Sequence, residues 1–206
     1  MPVHQKRVRR DALEVYTRGM VEGTRSHGTL SVEEYLELEE QATIRHEYVG
    51  GELYALAGAS DRHNRIAGKI YRRLSDAANG GSCRVYMSDM RLRLEDDTFY
   101  YPDVMVVCEP LESDNPTFQR EPCLLVEVTS QSTETIDRRE KLAAYKGIPA
   151  LKAYLIVSQD RRWIQHYRRD ENGVWQRGDL VDEGRLSLPC PPDAALSVAD
   201  VVYEGL

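Results

Sequence analysis

The chain reads as a mixed α/β protein, one central sheet flanked by helices. Three observations predict this class. An amphipathic helix spans Asp61 to Asp76. Apolar runs of strand length follow at Val85–Leu94, Phe99–Val107, Cys123–Thr129 and Ala153–Val157. A short helix beginning at Asp137 separates the last two. The order is helix, strand, strand, strand, helix, strand (αβββαβ), preceded by a helix and hairpin and followed by a hairpin.

Each element has its own local reason. Ser31 and Glu34 form a capping box, with Leu30 and Tyr35 at the hydrophobic-staple positions, so a first helix starts there. Glu47-Tyr48-Val49-Gly50-Gly51-Glu52-Leu53-Tyr54 has the pattern of a hairpin closed by two glycines. In the Asp61–Asp76 helix, His63, Ile66, Ala67, Ile70, Tyr71 and Leu74 gather on one side at 100° per residue. Arg62, Arg65, Lys69, Arg72 and Arg73 gather on the other. Val85–Leu94 and Phe99–Val107 pair across the turn Glu95-Asp96-Asp97, and the proline-bearing stretch 109–122 is a loop. Asp137 caps the next helix, with Glu140 in its first turn, Gly147 at its stop and Pro149 beyond. Asp170-Glu171-Asn172-Gly173 closes a late hairpin carrying Trp163, Tyr167 and Trp175, and Ser197 caps a final turn.

The 206 residues, 41% hydrophobic and 30% charged, suffice for one domain over 29–206 behind a basic arm over 1–28. No run approaches the ~18 apolar residues of a membrane span, and no secretory signal pattern is present. Cys83, Cys108, Cys123 and Cys190 are scattered without a CxxC pair, which predicts buried free thiols in a reducing cytosol, neither zinc site nor disulfide framework. The net charge of −7 argues against indiscriminate nucleic-acid binding.

The chemistry sits in two acids placed within apolar runs, Asp103 in Tyr100–Val107 and Glu127 in Cys123–Thr129. Burying an ionised carboxylate is costly unless it is paired or metal-bound. Two of them on neighbouring strands, with a backbone carbonyl such as that of Val128, make a hard oxygen site suited to Mg2+ or Mn2+. On a phosphodiester such an ion activates water and neutralises charge on the phosphate. A lysine would complete the set, and Lys141, in the first turn of the Asp137 helix, is the candidate. The alternative for Glu127 is a salt bridge to Arg91 or Arg93. His63 lies in its helix's apolar stripe and reads as a core histidine. The stripe Arg62, Arg65, Lys69, Arg72 is ordinarily a solvated face; beside a nuclease site it becomes a track for backbone phosphates.

Pro102-Asp103 followed by Glu127-Val128-Thr129 resembles the PD-(D/E)xK nuclease superfamily. Over about two-thirds of its length, the chain is similar to the bacterial Uma-two family of restriction-type endonucleases. The segments that carry this are HEYVGGELYALAGAS with the following His63, VYMSDMRLRL, YYPDVMVV, LLVEVTSQST, DRREKLAAY and AYLIVSQDRR. The resemblance implies a restriction-endonuclease-like core and divalent-metal-dependent cleavage of DNA by a metal-activated water. It implies Asp103 and Glu127 as ligands, Glu47 as an additional acid, and Lys141 as the lysine moved onto the helix, since Thr129 stands at its usual position. The rival reading is a catalytically silent nuclease-fold protein that binds nucleic acid or a protein partner. The aromatic late hairpin is consistent with a homodimer, two sites of which would suit cutting both strands.

Overall fold

In the computed structural model of the chain, residues 6–7, 29–56, 58–95, 97–108, 117–129 and 137–201 are described. Contacts sort the chain into two compact units. One comprises Ala59–Leu92 and Tyr101–Leu206 with Met1–Pro2; the other comprises Val3–Gly58 and Arg93–Tyr100. Of the basic arm, only Lys6–Arg7 lie among the described residues. Their backbone forms strand β1.

The smaller unit holds helix α1 (Val32–Gln41) and strands β2 (His46–Val49), β3 (Glu52–Ala55) and β6 (Thr98–Tyr100). β1 pairs with β3, β3 with β2, and β2 with β6, all antiparallel. Both halves of the expected capping box are present at Ser31 and Glu34. The β2–β3 turn runs through Gly50 and Gly51 at φ +57° and +89°, a left-handed path that side chains resist. Tyr35, Tyr48 and Phe99 form its aromatic core, with ring centroids 4.8 to 6.2 Å apart. Such pairs each add about 0.5–1.5 kcal/mol beyond their buried area. Buried Glu39 accepts from His46 at both backbone nitrogen and Nδ1, each at 3.0 Å.

The larger unit contains helix α2 (Asp61–Ala78), strands β4 (Cys83–Met87), β7 (Val104–Cys108) and β9 (Leu124–Thr129), helix α3 (Asp137–Lys146), and strands β10 (Ala153–Ser158), β11 (Trp163–Arg169) and β12 (Trp175–Val181). The sheet order is β12-β11-β10-β9-β7-β4. Only β9 and β10 are parallel, and α3 supplies the crossover that such a pair needs. One face of the sheet, with Val104, Val106, Leu124, Val126 and Leu155, packs on Ile66, Ala67, Ile70 and Leu74 of α2 and on Leu186, Leu196 and Val198 near the C-terminus. Tyr145 of α3 packs edge-on against Tyr154 of β10 at 5.1 Å. Burial on both faces explains why these strands read as unbroken apolar runs rather than alternating ones.

Several expectations need correction. The strand expected over Val85–Leu94 is two, β4 and β5 (Arg91–Leu94), because the chain turns at Ser88, where φ is +43°. Its partner over Phe99–Val107 likewise divides into β6 and β7, interrupted at residues 101–103. Within the expected loop, Phe118–Gln119 forms β8, parallel to Arg91–Leu92, and the Arg91 guanidinium donates to the Thr117 carbonyl at 3.1 Å. Residues 109–116 and the side chain of Asp137, on which the loop and cap readings also rest, lie outside the described residues. A hairpin of β13 (Arg185–Ser187) and β14 (Ala195–Ser197) was not foreseen. Trp163 and Tyr167 are buried within the chain, and the Trp175 indole donates to the Lys146 carbonyl, so these aromatics form no exposed patch.

The free-thiol expectation is overturned: Cys83 pairs with Cys108, and Cys123 with Cys190. The antiparallel register of β4 and β7 sets Cys83 directly opposite Cys108, with Cα atoms 3.9 Å apart. Separations of 25 and 67 residues hid both pairs from any spacing rule. No helix among the described residues is long and apolar enough to cross a membrane.

Two predictions follow from these contacts. Protein purified without reductant and unfolded in guanidinium should show about zero thiols by Ellman titration; four would restore the free-thiol reading. Near the C-terminus Ser197 caps the turn Val198–Asp200 reciprocally with Asp200. Burial pushes the Asp200 pKa up, but the Ser197 hydroxyl and backbone N–H, with Arg73 and Arg185, outweigh it and hold the carboxyl below its ordinary value. A depressed folded pKa stabilises above the unfolded value and loses that contribution as pH falls through the folded one. Asp200→Asn should therefore lower stability by about 1 kcal/mol at neutral pH in denaturant titration. The gap from wild type should close below about pH 4; a gap independent of pH would contradict this.

Candidate active site

The site lies in the larger unit where β7 and β9 run antiparallel. Val104 faces Val126 in the register, so Asp103, immediately before β7, comes beside Glu127 and Val128. The Val128 backbone N–H donates to Asp103 Oδ2 at 2.7 Å. This short, charge-assisted bond fixes the carboxylate at the strand end. The Asp103 carbonyl accepts from the Ser88 N–H at 3.2 Å.

Glu127 is only 8% exposed, in the middle of β9 among Leu124, Leu125, Val126 and Val128. Helix α3 supplies its partners. The Tyr145 hydroxyl donates to Glu127 Oε1 at 2.9 Å, and Lys141 Nζ lies 3.5 Å from the same oxygen. Lys141 and Tyr145 are four residues apart, one helical turn, so both side chains descend on one oxygen. The lysine side chain is 13% exposed, well withdrawn from solvent. Tyr145 packs edge-on against Tyr154 of the sheet, and its hydroxyl also touches the acid. The clue was available, since a buried tyrosine hydroxyl needs a partner and Glu127 was the nearest unsatisfied acceptor in the strand pattern.

His63 requires a correction. It occupies the inner stripe of α2 as expected, yet its Nε2 lies 3.2 Å from Asp103 Oδ2. Burial pushes its pKa down, but the Asp103 hydrogen bond, the charges of Asp103 and Glu127 and the Val128 contact outweigh that and raise it.

The remaining expected residues are Glu47 and the α2 cations. Glu47 is on β2 in the smaller unit, opposite Tyr54 in the register and 2% exposed. Arg65, Lys69 and Arg72 lie on the exposed face of α2, Arg65 within 3.9 Å of Asp61. Arg62 is half-buried and donates to the Gln159 carbonyl at 3.3 Å.

Two carboxylates and the Val128 carbonyl form a hard oxygen set of the kind Mg2+ or Mn2+ takes. Among the described residues, the one trio of His, Cys, Asp or Glu ligand atoms within 4.8 Å of one another is Cys108, Cys123 and Cys190. His63, Asp103 and Glu127 do not converge that closely: Glu127 Oε1 is drawn toward α3, while Asp103 is held toward α2. The donor types fit a divalent ion.

Comparison with known proteins supplies the family and the fold. The model of the Uma2 family, described as "Putative restriction endonuclease", matches residues 32–199. The chain is 37% identical over 179 residues to uncharacterized protein slr1290 of Synechocystis sp., covering 86% of this chain and 93% of that protein. It is 36% identical over 157 residues to uncharacterized protein sll1609 of the same organism, covering 75% and 89%. A crystal structure from Anabaena variabilis, titled "a putative nuclease belonging to DUF820", matches with a TM-score of 0.66 at 19% identity, over 83% of this chain and 96% of that one. At that identity the likeness shows the fold, a restriction-endonuclease-like core. With a family model that spans most of its length, the chain belongs to the Uma2 family.

Proposed function

We propose that this protein is a divalent-metal-dependent endonuclease that hydrolyses DNA phosphodiester bonds by direct attack of water. The observation that carries the reading is the placement of Asp103 and Glu127 side by side at the β7–β9 strand ends, with the Lys141 ammonium 3.5 Å from Glu127. Asp103, Glu127 and the Val128 carbonyl would hold Mg2+ or Mn2+. When bound, the ion supplies Lewis acidity to water and phosphate.

The chain's own groups divide the remaining work. The Val128 N–H and the strand register orient Asp103. Tyr145 holds Glu127 Oε1 from the α3 side. Lys141, next to the same oxygen, presents a positive charge where the phosphate gains negative charge in the transition state. It fills the role of the lysine that Thr129 replaces on the strand. Glu47 is the additional acid that the family pattern supplies. On the outer face of α2, Arg65, Lys69 and Arg72 provide charges for backbone phosphates, with Arg62 at the His63 end of the helix. A DNA substrate goes with a cytoplasmic location, an inference that rests on the substrate and not on the cysteines.

The experiment is cleavage of supercoiled plasmid and of oligonucleotides with Mg2+ or Mn2+. Wild type should nick and linearise DNA. Asp103→Ala and Glu127→Ala should abolish cleavage, and Lys141→Ala should slow it about a hundredfold or more. Inactivity of wild type under all metal conditions, with DNA binding retained, would favour the silent binding protein. Equal cleavage by the acid variants would place the chemistry elsewhere.

A further inference from the structure

The polar contacts of His63 all run toward the acid site, although it sits on the apolar face of α2. Nε2 is 3.2 Å from Asp103 Oδ2. Nδ1 is buried with no hydrogen-bond partner among the described residues. The ring is thus oriented by one nitrogen, and that nitrogen touches Asp103, a group assigned to the metal.

We propose that His63 is itself a ligand, through Nε2, of the divalent ion held by Asp103 and the Val128 carbonyl. This rests on the reading of the site as a metal centre and adds a nitrogen donor to it. Cis ligands of an octahedral ion with bonds of about 2.1 Å lie about 3 Å apart, so the observed 3.2 Å suits two donors sharing one ion. The position is also built. His63 is the third residue of α2, and its backbone N–H is capped by Ser60 Oγ at 3.1 Å. Ser60 Oγ in turn donates to Gln159 Oε1 at 2.6 Å, and the neighbouring Arg62 donates to the Gln159 carbonyl. These bonds anchor the first turn of α2 to the end of β10, which fixes where the imidazole enters. Glu127, drawn toward α3, leaves the α2 side of Asp103 to His63.

One imidazole nitrogen among oxygen donors changes the ion the site prefers. Nitrogen ligation suits first-row transition metals better than Mg2+, so Mn2+ should bind more tightly than Mg2+ at this centre.

Pulsed electron paramagnetic resonance of bound Mn2+ tests the assignment without turnover. Wild-type protein should show the nitrogen-14 coupling of a directly coordinated imidazole. His63→Gln, checked for folding by thermal melting, should lose that coupling and weaken Mn2+ binding at least about tenfold. Asp103→Asn is the control that locates the ion. Mn2+ whose binding depends on Asp103 but carries no imidazole coupling, or keeps it in His63→Gln, overturns the histidine ligand and leaves the metal centre standing. Failure of wild type to bind Mn2+, or binding indifferent to Asp103→Asn, overturns both.

Discussion

The 2.7 Å hydrogen bond from the Val128 N–H to Asp103 Oδ2 joins two strands at the point where one is just beginning and the other is ending. It depends on the β7–β9 register. Because side chains alternate along a strand, a slip of one residue would turn Glu127 away from Tyr145 and Lys141 and bring an apolar residue to the site. The register is secured in turn by apolar packing on both faces. Val104, Val106, Leu124 and Val126 face the α2 cluster, and Tyr154 packs against Tyr145 of α3. A dry, two-sided sheet is what allows two acids to be placed so exactly, and their charge is what demands partners from both covering helices.

Those helices treat the acids differently. Helix α2 presents His63 to Asp103, and α3 presents Lys141 and Tyr145 to Glu127. Each carboxylate has a hydrogen-bond donor of its own, as buried charge requires. The donors differ in what they can become. An imidazole has a lone pair for a metal once it gives up its proton, while an ammonium remains a cation that can address a phosphate. The two halves of the site thus suit different tasks, ion capture on the α2 side and charge stabilisation on the α3 side.

Much of this was legible in the sequence, and the failures have physical causes. The capping signals at Ser31 and Ser197, the Gly50-Gly51 turn and the Asp170–Gly173 turn are local, so they read correctly. The acids stood out because a charge inside Leu-Leu-Val-Glu-Val has no cheap explanation. The division of Val85–Leu94 was missed because the break at Ser88 depends on a left-handed backbone that serine seldom signals. Cys83 and Cys108 meet through strand pairing across 25 residues, which no spacing rule encodes. His63 was misread for a subtler reason. Helical periodicity says which side a residue faces, but the inner side of the first turn of α2 meets the acid site as well as the core.

A crystal structure of the protein soaked in Mn2+, with anomalous scattering to locate the ion, tests the central claim most directly. The account predicts one peak against Asp103, with Glu127 turned toward it and His63 Nε2 at bonding distance. A map without a peak there, or manganese lodged elsewhere while Asp103 stays hydrogen-bonded to His63 and Glu127 to Lys141, would contradict it.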